Sequence, residues 1–150
     1  HHASGGFTVH DAHIHTFGEA LNGAFVRLGN EAMVVTPLAV DAVLSLDEVM
    51  GPVRQILKEL APFGTGNEKP VFAFTDVSPL SVAAFGKAKE HLKLTFTTKR
   101  GPLEGIAFFA TPGDFSLAPE DGQACTLVAH IEESFFMGRR STRLRIIDIL

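Results

Sequence analysis

The sequence has no tryptophan, no tyrosine and a single cysteine in 150 residues. Any aromatic surface must therefore come from its 13 phenylalanines. One thiol, Cys125, cannot close an internal disulfide, which fits a reducing, cytoplasmic setting. No apolar run approaches the roughly 18 to 20 residues of a membrane span. No basic, then apolar, then small-residue leader opens the chain, so a secretory signal is not expected. The net charge of -4 excludes nucleic-acid binding by bulk positive charge alone. The length excludes a complete barrel of eight strands and helices, which takes roughly 200 residues or more. What is present is a globular composition, 45% hydrophobic and 20% charged. It is not that of a disordered, collagen-like or coiled-coil chain.

Charge divides the chain. Residues 1–69 carry four basic side chains (Arg27, Arg54, Lys58, Lys69) and eight acidic ones, and residues 70–150 carry nine of each. In the second half the charges come in blocks. Lys87, Lys89, Lys93, Lys99 and Arg100 lie close together with only Glu90 among them, and Arg139, Arg140, Arg143 and Arg145 follow with no acid between.

The first half reads as strand, helix, strand, helix. Phe7-Thr8-Val9 has the character of a strand end. Asp11 is placed to cap a helix whose Ile14, Phe17, Leu21, Phe25 and Leu28 fall on one face, and Gly29-Asn30 supplies a stop. Pro37 to Leu44 reads as a short, buried strand. Ser45 and Glu48 stand at capping-box spacing, ahead of a helix predicted to bury Val49, Val53, Ile56, Leu57 and Leu60 and to end before Pro62. The glycine-rich turn from Pro62 to Asn67 then marks a boundary.

The second half reads as all strand: Val71–Val77, Val82–Lys87, Leu92–Thr98, Leu103–Ala110, Ala124–Ile131 and Arg143–Ile149, separated by turn residues. Short strands at this spacing predict a small Greek-key barrel. Within Leu92–Thr97 the apolar side chains point one way, and Lys93, Thr95 and Thr97 point the other.

Several residue groups could carry chemistry. His10, His13 and His15 resemble the Asp-x-His-x-His ligand pattern of metal-dependent hydrolases. On a helix, however, His13 and His15 point about 200° apart and cannot share an ion; solvated histidines are the plainer reading. Phe63-Gly64-Thr65-Gly66-Asn67 lacks the Gly-Lys-Ser/Thr of a P-loop and reads as a tight turn. Cys125, in an apolar strand, reads as a structural thiol. Glu132 and Glu133 face opposite sides of a strand and make no acid/base pair. The two basic blocks are the strongest signal. Brought together by strand pairing, they form a groove for a phosphate backbone, with Phe96, Phe135 and Phe136 near enough in sequence to stack on bases. The alternative is a solvated charged face over a phenylalanine core.

The segment Leu60-Ala61-Pro62-Phe63-Gly64-Thr65-Gly66-Asn67, followed by Pro70-Val71-Phe72, resembles a Leu-x-Pro-Phe-Gly-x-Gly-Asn-x-x-Pro-x-Phe segment of the RecJ family of single-strand-specific exonucleases. His91-Leu92-Lys93-Leu94 and Gly105-Ile106-Ala107-Phe108 are similar to two of that family's strands. Phe136-Met137-Gly138-Arg139-Arg140 and Leu144–Ile149 resemble its last strands. At the front, Ala3-Ser4-Gly5-Gly6-Phe7 resembles the tail of the Gly-Gly-His-x-x-Ala-Ala-Gly-Phe motif of the domain associated with Asp-His-His phosphoesterases.

The resemblance implies an α+β chain in three parts. Residues 1–45 would be an α/β remnant of the associated domain, 46–69 a connecting helix and turn, and 70–150 an all-β oligonucleotide-binding (OB) barrel. It implies single-stranded DNA as partner. Lys87, Lys89, Lys93, Arg100, Arg139 and Arg140 would sit at phosphates and His91, Phe96 and Phe135 near bases, while Ala3, Ser4 and Gly5 would contact a nucleotide end. The family's catalytic domain lies upstream, uses Mn2+ or Mg2+, and degrades single strands 5′ to 3′ in DNA repair and recombination. Its aspartate-rich motifs are missing here, so no metal and no catalytic residue is expected within this chain. Expected partners also include that upstream domain and repair proteins. The competing functions are a protein-docking barrel with little DNA affinity and, more distantly, a metal-dependent hydrolase using His10, His13 and His15.

Overall fold

The computed structural model describes residues 6, 8–27, 37–136 and 138–150, with the side chains of Phe136 and Arg139 left aside. Two units are formed, His1–Pro37 and Leu38–Leu150. In the first, the expected helix begins as a 3₁₀ turn, Asp11–Thr16, with His10 rather than Asp11 at the N-cap position, and continues as α1, Phe17–Arg27. The apolar stripe is present, but Ile14, Leu21 and Phe25 are exposed. Periodicity marks a face; burial depends on what lies against it. Thr8 and Val9 have no regular structure, and Phe7, Leu28, Gly29 and Asn30 lie outside the described residues.

The second unit holds a seven-stranded sheet: β1 (Ala42–Val43), β2 (Phe72–Val77), β3 (Ser81–Phe85), β4 (His91–Thr98), β5 (Gly101–Phe108), β6 (Cys125–Phe136) and β7 (Arg139–Ile149). The hydrogen-bonded order is β1-β2-β6-β7-β5-β4-β3. β2 and β3 stand far apart in that order, yet only Ser78, Pro79 and Leu80 join them. So short a link reaches at most about 14 Å, so the sheet must curl until its ends meet. The corner is tied by Leu80 N–H donating to Thr95 O (2.7 Å), Gly122 N–H to Pro79 O (2.8 Å) and Val82 N–H to Asp121 Oδ1 (2.7 Å). Setting aside the two-residue β1, which runs parallel to β2, and counting β2 and β3 as one bent strand leaves five strands around the barrel, with β5 and β7 parallel and the other neighbours antiparallel. This is the OB arrangement.

The alternation along β4 sends Leu92, Leu94 and Phe96 inward, where they meet Phe74, Leu103, Leu127, Leu144 and Ile149, all fully buried. Gly105 on β5 is required by close approach: a Cβ there would lie 3.1 Å from Ile146 Cδ1 and 3.4 Å from Phe96 Cε2.

Helices cover part of the barrel. The single helix expected after Ser45 is two, α2 (Leu46–Val49) and α3 (Pro52–Leu60), because Gly51 and Pro52 interrupt the backbone ladder. The capping box is formed, with Ser45 N–H donating to Glu48 Oε2 at 2.7 Å. Val49 is buried in the core and Val53 and Leu57 pack against it, whereas Ile56 and Leu60 are exposed. The strand read over 37–44 is only β1, with Pro37–Val40 exposed. β1 pairs with β2, so the divisions expected at 45/46 and 69/70 both fall inside the second unit. The glycine turn is tied down by Asn67, whose amide donates to Leu60 O and Pro62 O, both at 2.9 Å.

Candidate nucleic-acid interface

The outer face of the barrel follows from register. Residues with side chains opposite to the core on β4 are His91, Lys93, Thr95 and Thr97. Pairing sets His91 beside Phe85 of β3 and Phe108 of β5. It sets Lys93 beside Ile106, then Arg145 of β7, then His130 of β6. A third row runs Thr95, Glu104, Arg143, Glu132.

At one end of this face the rings gather. His91 lies 5.1 Å from Phe85, 5.1 Å from Phe108 and 4.7 Å from Phe109, centroid to centroid and edge to face. The Arg145 guanidinium stands 4.3 Å from the Phe108 centroid and that of Arg143 5.5 Å. Both contacts are cation–π in range. Phe109 is 82% exposed and sits at φ 53°. A left-handed conformation costs a non-glycine residue about 1–2 kcal/mol, and nothing is gained from burying the ring.

Ion pairs divide the cations of the face. Lys93 Nζ is 3.3 Å from Glu104 Oε1; Arg143 is 3.3 Å from Glu132 Oε2, and Lys69 also approaches that carboxylate, at 2.9 Å from its Oε1. Among the described residues Arg145, Lys87 and Lys89 have no such carboxylate. Partial burial pushes the Glu132 carboxyl up, but hydrogen bonds and charge from Lys69 and Arg143 outweigh it and hold the group below the ordinary glutamate value. A carboxylate lowered in the folded state stabilises the fold at neutral pH, and that contribution is lost as pH falls through the folded value. Thermal melting temperature should therefore fall as pH drops below the ordinary glutamate value of 4.5. Glu132→Gln should flatten the fall; an unchanged slope would show that the triad adds nothing.

Only part of the expected site lies on this face. His91 and Lys93 are on it, and Lys87 and Lys89 are exposed in the β3–β4 loop that borders it. Phe96 is not: its side chain is 0% exposed, sealed in the core by the same alternation that turns Lys93 outward. Arg100 stands in the β4–β5 turn and donates to Met50 O at 3.2 Å, while Lys99 pairs with Asp47. That turn is the far end of an eight-residue strand, about 23 Å from His91. Phe135 and Arg140 pair directly and are exposed, but they alternate away from Glu132 and Arg143 and lie on the other face of the β6–β7 hairpin. They line a cleft with Glu133 and Ser134, and of these Glu133 reaches α3, accepting from Arg54 at 2.7 Å. Arg139 stands opposite Phe136 at the hairpin end. Ala3, Ser4 and Gly5 lie outside the described residues.

Sequence reasoning misses Phe85, Phe108 and Phe109, and it sees Arg143 and Arg145 only as part of a block. A signal exists for Phe108: with Leu103 and Ala107 facing inward, an odd separation from each places Phe108 outward. Phe108-Phe109-Ala110, however, reads as a buried run.

The remaining chemical groups are quiet. Cys125 is buried, its thiol donates to Val77 O at 3.4 Å, and burial pushes its pKa up. Among the described residues no three His, Cys, Asp or Glu side chains gather as a metal set. His10, His13 and His15 are exposed, and on a 3₁₀ turn His13 and His15 stand about 120° apart. No helix of the described residues is long and apolar enough to cross a membrane.

The family described as the RecJ OB domain matches residues 40–148. This chain belongs to that family. The RecJ OB match begins beside β1 and so takes in α2, α3 and the barrel up to the last residue but one of β7. Two solved structures of RecJ from Thermus thermophilus are similar to the chain, one in complex with Mn2+ and one with Mg2+. The first has a TM-score of 0.55 at 19% identity and covers 96% of this chain and 20% of its own. The second has a TM-score of 0.54 at 19% identity and covers 95% of this chain and 21% of its own. At that identity the likeness is one of fold. The chain thus spans about a fifth of the length of these RecJ relatives. No curated protein matches it.

Proposed function

We propose that this RecJ OB domain binds single-stranded DNA on the outer face of β3, β4, β5 and β7, as part of a RecJ-like 5′ to 3′ exonuclease of cytoplasmic DNA repair and recombination. The observation that carries the reading is the cluster of Phe85, His91, Phe108 and Phe109 beside an Arg145 that has no carboxylate partner among the described residues. Single-strand binding needs rings for bases and cations for phosphates on one surface, and this face supplies both. Catalysis in such a parent would use Mn2+ or Mg2+, the ions named for the Thermus structures. The described residues do not fit an ion of that kind, so its ligands would come from the catalytic domain.

Fluorescence anisotropy with labelled oligo-dT tests the proposal. Lys93 and Arg143 are held by carboxylates, which leaves Arg145, Lys87 and Lys89 for phosphates. About three contacts correspond to a salt slope near −2, or a roughly 20-fold loss of affinity from 50 to 200 mM salt. A slope two or three times larger would place further cations at the backbone. No binding at 50 mM salt would remove the proposal.

In that event a protein-docking role stands next. It is favoured by a groove of ≈ 380 Å³ between α3 and the β6–β7 hairpin, whose lining combines Leu57, Phe63 and Ile131 with charges of both signs, among them Lys58 and Glu133.

A further inference from the structure

We infer that His91 is a positioning residue: its ring holds Phe109 in the conformation that displays a phenyl surface for stacking. This rests on the outer-face reading above and adds a role to one of its residues. Phe109 follows the last residue of β5 at φ 53°, a region that a bulky L-residue rarely enters, and its ring is 82% exposed. Neither the backbone nor the burial of the side chain accounts for that state, so something else must hold it. The structure shows His91 meeting Phe109 twice, ring to ring at 4.7 Å and through the backbone. The Phe109 N–H donates to His91 Nδ1 at 3.0 Å, closing a link between the first residue of β4 and the residue just after β5. Because Nδ1 accepts, the ring proton of a neutral His91 sits on Nε2.

The His91 ring is itself immobilised. Its side chain is only 14% exposed, with Phe85 and Phe108 edge-on to it, each at 5.1 Å. A side chain so enclosed offers little surface to a ligand, whereas the residue it anchors offers a great deal. Strained conformations of this kind persist only where the surroundings over-determine them, and they concentrate at binding sites. His91 therefore acts on the bound strand through Phe109.

Substitutions separate the acceptor from the ring. In His91→Asn the side-chain oxygen stands near the place of Nδ1 and retains an acceptor; His91→Phe keeps a ring and removes it. Two measurements apply to the 150-residue chain: the chemical shift and hydrogen exchange of the Phe109 amide without DNA, and anisotropy with oligo-dT. Phe109→Ala should weaken binding about 5- to 100-fold, the range for one lost base stack. His91→Phe should move the Phe109 amide shift, speed its exchange and weaken binding to a similar extent. The double variant His91→Phe/Phe109→Ala should be no weaker than Phe109→Ala, and His91→Asn should stay within about three-fold of the parent chain.

An unmoved Phe109 amide in His91→Phe would overturn the assignment, as would losses that add in the double variant. If the parent chain bound no oligonucleotide, the interface reading would fail; the amide measurement would still decide whether His91 holds Phe109. Matching thermal melts show that each variant is folded, and His91→Asn keeps the test intact should His91→Phe not be.

Discussion

Phe108→Ala should cut the affinity for oligo-dT by about 5- to 100-fold at low salt and leave the barrel folded. Phe108 is half-buried on the outer face, in ring contact with both Phe85 and His91, and it carries the Arg145 guanidinium at 4.3 Å. Removing the phenyl group takes away a stacking surface and lets a cation swing out of the row it shares with Lys93. The loss should be larger than that of Arg145→Ala, which removes one phosphate contact and lowers the salt slope by roughly 0.7. Arg100→Ala should have less than about two-fold effect, because Arg100 is tied to Met50 about 23 Å from the rings. Anisotropy titrations at two salt concentrations check all three. Equal losses for Phe108→Ala and Arg100→Ala would mean that binding is spread over the surface and not seated on this face.

Phe96→Ala should destabilise the barrel by about 3–5 kcal/mol and lower its melting temperature by on the order of 15 °C. The ring is fully buried, and its Cε2 lies close to the position a Cβ on Gly105 would occupy. Its removal opens a cavity between β4, β5 and β7 that these strands, locked by their ladders, cannot close. At temperatures where the variant stays folded, oligonucleotide affinity should match the parent chain. Thermal denaturation and anisotropy on the same sample decide it. Lost affinity with an unchanged melting temperature would place the ring at the ligand instead of in the core. The contrast between Phe96 and Phe108, on the two strands of the β4–β5 hairpin, thus separates stability from binding.

The strands themselves were readable. Alternation over Leu92–Thr97, together with turn residues around each apolar segment, located every strand of the barrel within a few residues. The exceptions have local causes. The β6–β7 hairpin runs on to Phe136 and back from Arg139, beyond the strand ends read at Ile131 and Arg143. Cross-strand pairing extends there because Glu133 finds Arg54 on α3 and Glu132 finds Arg143 on β7, partners far away along the chain. The helix after Ser45 breaks at Gly51-Pro52, a signal visible in the sequence but masked by the regular spacing of apolar residues on either side.

The site was legible in kind more than in detail. Both basic blocks were evident, and Lys93 and Arg145 do share a face, two strands apart. Sequence proximity failed as a guide to spatial proximity. Lys99 and Arg100 are close to Lys93 along the chain, but a strand carries them to the opposite end of the barrel. Phe96 is three residues from Lys93, and an odd separation on a strand means the opposite face. Arg140 and Arg143 are parted by the same rule.

What the sequence by itself determined is therefore the class and the composition: a small Greek-key barrel with helices on it, no apolar run of membrane-spanning length, and an aromatic surface that can only be phenylalanine and histidine. Period, turn chemistry and residue inventory are local properties, and local properties survive without coordinates. The tertiary structure alone decided which phenylalanines face out, which arginines keep a carboxylate, and why Phe109 stands in the left-handed region beside His91. Each of those depends on strand register, and register is a relation between segments distant in the chain.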